Sequence, residues 1–251
     1  MDLGLSGRVY VLTGASRGLG FATAQCLVAD GAKVVVSSRD SSRVAAAAEE
    51  LGDSAVGVAA DLADPATPAR LVELARDRFG RLDGALVSVG GPPRGTALSV
   101  TEDQWRDSFE TVFLGSVRLA RTVAAALSSG GVIGFVLSTS ARSPVVGLGI
   151  SNGLRPGLVG VAKDMADELA PRGVRVVSLL PHRIFTDRNR ELFAASGDAE
   201  RARAEAEAAI PLGRLGDPEE FGRVAAFLLS PAASYLTGLS IPVDGGAVRS
   251  L

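Results

Sequence analysis

Seven short apolar runs, each rich in β-branched residues and separated by enough chain for a helix, constrain this sequence more than any other feature. They cover residues 8–13, 33–37, 55–59, 84–88, 132–138, 174–178 and 239–243. A strand with one wet face alternates apolar and polar residues, whereas these runs are almost continuously apolar, so both faces are buried. Strands buried on both faces and joined through helices form a parallel sheet with helices on either side. The spacing predicts a helical stretch from the Thr101-Glu102 cap to Leu127. A second, over 156–169, carries Leu158, Val161, Met165 and Leu169 on one face. Residues 187–209 are charged, alanine-rich and interrupted by Gly197, so they read as helical but outside the core. The expectation is an α/β fold, a single doubly wound domain over residues 1–251 with a seven-stranded parallel sheet.

Composition narrows the function. Of 251 residues, 47% are hydrophobic, which argues for a packed core and against disorder. The net charge is −2 with no basic run, so a nucleic-acid groove is not expected. No apolar run reaches the length of a membrane span, and the N-terminus lacks the basic and apolar regions of a signal peptide. Cys26 is the single cysteine, set among Ala22, Leu27 and Val28, so it reads as a packed thiol with no internal disulfide. These features predict a soluble, cytoplasmic protein with neither membrane nor metal partner. Lys33 and Lys163 are the only lysines among 26 basic residues, and alanine and glycine are heavily used. That bias points to GC-rich bacterial DNA.

The first strand runs into Thr13-Gly-Ala-Ser-Arg-Gly-Leu-Gly20, with glycines at Gly14, Gly18 and Gly20. A tight turn that lets backbone approach a pyrophosphate at a helix N-terminus needs residues without a Cβ. The next helix follows at once, with Phe21, Ala24 and Val28 as its apolar stripe. Context of this kind points to a dinucleotide rather than to a plain turn. The second strand ends at Ser38-Arg39, where an NAD-selective chain places a carboxylate for the ribose 2′-hydroxyl. A hydroxyl and a guanidinium suit a 2′-phosphate instead, and Arg17 offers a second charge-assisted contact. Alternatively, Arg39 is solvated or paired with Asp40.

The string "TGASRGLG", the pair Asp61-Leu62, and "PLGRLGDPEEFGRVAAFLLS…YLTG…VDGG" resemble the short-chain dehydrogenase/reductase family over nearly the whole chain. The resemblance implies a Rossmann fold and NADP(H) held by Gly14, Ser16, Arg17, Gly18, Leu19 and Gly20. It adds Ser38 and Arg39 at the 2′-phosphate, Asp61 and Leu62 at the adenine, and Ser88 and Gly90 beside the ribose. Pro181, Ile184 and Thr186 would hold the nicotinamide carboxamide, with His182 replacing a family glycine. The apolar tail from Tyr235 resembles the segment that packs between subunits, which implies a homo-oligomer, a tetramer.

The reaction centre departs from the family pattern of Asn, Ser, Tyr and Lys. The matching positions are Val112, Ser138, Ser151 and Arg155, with Ser140 an alternative to Ser138 if strand five ends later. A phenol, of pKa about 10, can be tuned by a neighbouring cation into a proton donor, but a serine hydroxyl is a far weaker acid. Arg155 stays protonated, so it cannot relay a proton, yet it can bind ribose hydroxyls and stabilise developing negative charge. Ser138, Ser151 and Arg155 are therefore the candidate catalytic residues, and Arg155 a candidate cofactor ligand. Alternatively, Ser151, Asn152 and Arg155 face solvent at a helix start. His182 could substitute as an acid.

These residues predict an atypical NADPH-dependent ketoreductase acting on a small-molecule carbonyl compound. The proton would come from water, the ribose hydroxyl chain or the substrate, such as an aromatic polyketide of an antibiotic pathway. An NADP(H)-binding sensor or scaffold without turnover is the alternative, and a lyase or dehydratase a third. Residues 183–212 would form a substrate lid and the "GGPPRG" loop at 90–95 a wall of the pocket.

Overall fold

A computed structural model describes residues 2–194 and 196–249. Seven parallel strands form one sheet in the order β3-β2-β1-β4-β5-β6-β7. They are β1 (Val9–Thr13), β2 (Lys33–Ser38), β3 (Ala55–Ala59), β4 (Gly84–Ser88), β5 (Val132–Val136), β6 (Arg175–Pro181) and β7 (Leu239–Val243). Helices α1 (Gly18–Ala29), α2 (Ser41–Leu51) and α3 (Thr67–Phe79) follow the first three strands. After β4 come α4 (Glu102–Ser108) and α5 (Gly115–Ala126), and α6 (Gly149–Leu169) lies between β5 and β6. Helices α7 (Asp187–Ala194), α8 (Ala199–Ala208) and α9 (Pro218–Leu229) precede β7.

The continuous apolar strands do what their composition requires. Val9, Val11 and Val35 pack against α3, α5 and α6, while Tyr10, Leu12, Val34 and Val36 pack against α1, α2 and α9. Adjacent strand residues thus feed opposite layers, as the period of two dictates. Each fully buried Leu or Phe contributes about 1.5–3 kcal/mol, which outweighs the small propensity differences within these short strands.

Three boundaries differ by more than one residue from the sequence expectation. Strand β5 stops at Val136 rather than 138, because Ser138 caps a single turn at Thr139–Ala141. Strand β6 runs on to Pro181, since β7 pairs along it as far as Pro181 opposite Val243. The third concerns α6, which begins at Gly149 rather than Pro156. Proline commonly opens a helix, which favoured the later start. Here the Asn152 side chain instead clamps Val145 through its backbone N–H (3.0 Å) and carbonyl (2.9 Å), fixing the entry one turn earlier.

One expected helical stretch is also subdivided, and the expected break at Gly197 is present. Thr101 and Gln104 form the capping box that opens α4, but residues Phe109–Leu114 wind as a wider π turn before α5. The Ser116 hydroxyl donates to the Val112 carbonyl at 2.7 Å there. Such wide turns recur at functional sites. Residues 187–209 form α7 and α8 with Gly197 at φ +86° between them. No helix among the described residues is long and apolar enough to cross a membrane.

Candidate active site

The carboxyl ends of the central strands open into a cavity of about 1040 Å³, the place where doubly wound sheets hold their ligands. Its floor is the glycine turn. Gly14 has φ +58°, and a Cβ there would sit 2.8 Å from the Ser88 carbonyl oxygen. A Cβ on Gly20 would lie 2.7 Å from the Gly14 carbonyl oxygen, so larger residues would force the turn apart. Thr13 Oγ1 donates to the Ser88 carbonyl (2.8 Å) and accepts from the Ser88 N–H (3.0 Å), locking β1 to β4 beneath the turn.

This cradle fits a dinucleotide. Ser16, Arg17, Gly18, Leu19 and Gly20 line the cavity where α1 begins, and Arg17 opens the helix without a side-chain cap. First-turn N–H groups at such an end suit an anion. A Cβ at Gly90 would meet nothing within 4 Å, which leaves the cavity floor open there.

The far wall separates the charges. Arg39 is exposed and lines the cavity, and among the described residues no carboxylate pairs with it. Asp40 is engaged elsewhere, capping the Arg43 N–H (3.0 Å) and pairing with the Arg43 guanidinium (3.3 Å). Arg17 pairs with Glu191 of α7 at 2.9 Å, in an exposed and therefore weak bridge. Ser38 Oγ donates to the Asp40 carbonyl at 3.1 Å. Asp61 accepts from the Ala63 N–H at 3.0 Å, and Leu62 is buried beside it.

Beyond β6, Pro181 closes the strand and buried Ile184 bridges to Gly216. The Ile184 carbonyl accepts from the Thr186 N–H (2.8 Å) and from Asn189 (2.6 Å), which shapes the segment facing the glycine turn.

The candidate catalytic residues come together in this cavity. Ser151 is 6% exposed and Arg155 4%, so neither faces solvent. Arg155 Nη1 donates to the Val136 carbonyl at 3.0 Å. Ser151 Oγ shares a hydrogen bond with Ser140 Oγ at 2.9 Å. Ser138 lines the cavity, but its hydroxyl accepts from the Ser140 N–H at 3.1 Å, so Ser140 is the serine that touches Ser151. One hydroxyl hydrogen of the Ser140–Ser151 pair remains to be donated. Val112 is buried against the same cavity and offers no side-chain polar group.

Neither tyrosine reaches the site. Tyr10 lies in β1 with its hydroxyl on the Leu229 carbonyl (3.0 Å), and burial pushes its pKa far up. Tyr235 is fully exposed near β7 and does not line the cavity. His182 lines it, with Nδ1 2.9 Å from Thr139 Oγ1. Burial, reinforced by the Arg183 charge and opposed by Asp244, holds its pKa below the usual value, so the ring is neutral at neutral pH. A neutral imidazole accepts or orients a proton better than it donates one.

Thr139 and Arg43 also line the cavity without having been expected there, as do Arg94 and Arg183, whose segments the sequence placed at the pocket wall and lid without singling out either side chain. Arg43 was findable, four residues beyond Arg39 on the following helix. The other three sit on loops whose reach no local pattern specifies.

Comparison with known proteins agrees with this geometry. Residues 14–248 match the family model described as enoyl-(acyl carrier protein) reductase. A 3-oxoacyl-(acyl-carrier-protein) reductase of Vibrio cholerae is 33% identical over 249 residues, covering 97% of this chain and 98% of that protein. An uncharacterized oxidoreductase of Mycobacterium tuberculosis is 38% identical over 250 residues, covering 96% of this chain and 92% of its own. Among solved structures, L-sorbose reductase from Gluconobacter frateurii, complexed with NADPH and L-sorbose, is similar with a TM-score of 0.91 at 30% identity over the whole of both chains. The glycine cradle, the parallel sheet and these full-length matches lead to one conclusion: the chain belongs to the short-chain dehydrogenase/reductase family.

Proposed function

We propose that this protein is an atypical ketoreductase that uses Ser151 and Arg155 where its relatives use a phenol and an ammonium. The chain is an NADP-dependent oxidoreductase, with the glycine turn at the pyrophosphate, Arg39 at the 2′-phosphate, and Pro181, Ile184 and Thr186 at the carboxamide. The observation that carries the reading is the burial of Ser151 and Arg155 together in the cavity that the glycine turn floors. NADPH held there would supply the hydride for the carbonyl carbon. Ser151 donates a hydrogen bond to the carbonyl oxygen while accepting one from Ser140, whose backbone N–H is held in turn by the Ser138 hydroxyl. Arg155, fixed on the Val136 carbonyl, binds ribose hydroxyls and supplies positive potential as negative charge grows on the oxygen. Neither side chain gives up a proton near pH 7, so the proton comes from water or from the substrate. A ketone beside its own phenol, as in an aromatic polyketide of an antibiotic pathway, provides one internally. The arginine-rich, lysine-poor composition supports a bacterial origin for such chemistry.

A panel of ketones, followed by loss of NADPH absorbance, tests the reading. Ser151→Ala is expected to slow turnover about tenfold or less, because a neutral hydrogen bond is worth only about 1 kcal/mol. A nearly dead Ser151→Ala would make serine the essential acid and overturn the assignment. Oxidation of no ketone at all would leave a protein that binds NADP(H) without turnover.

The reading extends to the whole chain as one cytoplasmic domain. Residues 183–212 would form the substrate lid, and Phe193, Ala206 and Ile210 cluster there with nearby Leu215. Arg190 and Arg203 lie over the Phe185 ring at 4.9 and 4.8 Å, bracing α7 against α8. A homotetramer is expected, with the half-exposed edge strand β7 and the neighbouring exposed Tyr235 and Leu212 at the interface. Light scattering at micromolar concentration would return a tetramer mass, and a monomer mass would refute it.

A further inference from the structure

Carboxylates that line the cavity are largely engaged, whereas Arg94 and Arg183, like Arg39 at the cofactor end, have no carboxylate partner among the described residues. Asp40 holds Arg43, Asp187 holds Arg190, and Glu191 holds Arg17. Asp244, close to His182, is occupied by the Gly246 and Val248 N–H groups at 2.9 and 2.8 Å. Arg94 and Arg183 line the cavity, and among the described residues no carboxylate forms an ion pair with either. Elsewhere Arg8 and Arg81 share Asp83, Arg118 holds Glu110 and Arg214 holds Glu220, while Arg76, Arg172 and Arg175 hold backbone carbonyls.

Their placement puts them at the substrate end. Arg183 follows His182 just beyond β6, is half-buried, and is pinned through its carbonyl by the Gly216 N–H at 3.1 Å. Arg94 precedes Gly95, which is zipped to the entry of α6 by bonds to the Gly147 carbonyl (2.9 Å) and from the Gly149 N–H (2.8 Å). That entry carries Ser151 two residues later. Burial and the Arg94 charge both hold the Arg183 pKa below its usual value, so the two cations stand near enough to repel. Two like charges facing one cavity repel, and an oxyanion between them relieves that repulsion.

We propose that Arg94 and Arg183 form an oxyanion subsite, and that the natural substrate is a ketone bearing a carboxylate or a phosphate. The proposal rests on the ketoreductase reading for the word ketone, but the anion site stands on the two arginines alone. Guanidinium forks match both groups, and a charged substrate anchored there would present its carbonyl to Ser151 and Arg155.

Two matched pairs test it: acetoacetate against methyl acetoacetate, and dihydroxyacetone phosphate against dihydroxyacetone. In at least one pair, kcat/KM for the charged ketone should exceed that for its neutral partner tenfold or more, and the winning pair tells carboxylate from phosphate. Arg183→Gln and Arg94→Gln should each collapse that ratio toward one, through KM. Arg94 is exposed, so its variant guards against a result caused by misfolding. Turnover-independent evidence comes from calorimetric titration of glutarate into protein saturated with NADP⁺, which occupies the 2′-phosphate end. Glutarate binding that either substitution weakens tenfold or more supports the subsite even if no ketone is reduced, which would sink only the ketoreductase reading. Neutral ketones matching or beating charged ones in both pairs, with no glutarate binding at millimolar concentration, would overturn the subsite and leave that reading intact.

Discussion

Arg155→Ala is expected to cut turnover a hundred- to a thousandfold and to weaken NADPH binding in the same variant. The magnitude is that of removing one preorganised electrostatic donor from an active site. Arg155 is 4% exposed and its Nη1 is tied to the Val136 carbonyl at 3.0 Å, so its charge sits at a fixed place before substrate arrives. Alanine removes the charge and the tie together. Because β5 ends at Val136, the loss also frees the strand end from which Ser138 is presented. Arg155→Lys separates the two effects: the charge survives as a point, the planar fork does not, and turnover should recover in part. Steady-state kinetics and NADPH titration on the three proteins check this. Ser151→Ala should be much milder, and the reverse ranking would assign proton transfer to the serine. Full activity in Arg155→Ala would place the reaction elsewhere in the cavity, with His182 the next residue to substitute.

The fold was legible because it rests on a long-range regularity. Seven apolar runs with helix-length spacing admit few arrangements other than a covered parallel sheet, and all seven fall on strands. Boundaries were less so, since they depend on single contacts. Nothing local says that Asn152 clamps Val145 and starts α6 ahead of Pro156, and that shift is what turns Ser151 and Arg155 inward. The glycine turn was readable from chain chemistry alone, because Gly14 and Gly20 stand where a Cβ would strike backbone. The Ser140–Ser151 contact was not, because both Ser138 and Ser140 lay within reach of the end of β5 and only the turn at Thr139–Ala141 decides which hydroxyl points where. For Arg94 and Arg183 the segments were legible, as pocket wall and lid, but the side chains were not: each is one arginine in a chain full of them, and only the folded cavity brings both to its lining.

Arg39→Asp should invert cofactor preference. In the unmodified protein NADPH is expected to bind about ten- to a hundredfold tighter than NADH, the worth of one or two charge-assisted bonds to the 2′-phosphate. Arg39 can make that contact because Asp40, the nearest competitor, is spent on Arg43 and on capping α2. An aspartate at 39 would repel a 2′-phosphate and accept a hydrogen bond from a 2′-hydroxyl, so both ends of the ratio move in opposite directions. Arg43 also lines the cavity and would retain some hold on the phosphate, which sets how far the inversion goes. Arg39 is exposed, so its contribution should shrink as ionic strength rises and the Debye length falls. Fluorescence titration of both cofactors at low and high salt therefore gives two readings of one interaction. The NADPH preference should narrow with added salt in the unmodified protein and be replaced by an NADH preference in the variant. Equal binding of NADPH and NADH by the unmodified protein at low salt would remove Arg39 from the phosphate altogether.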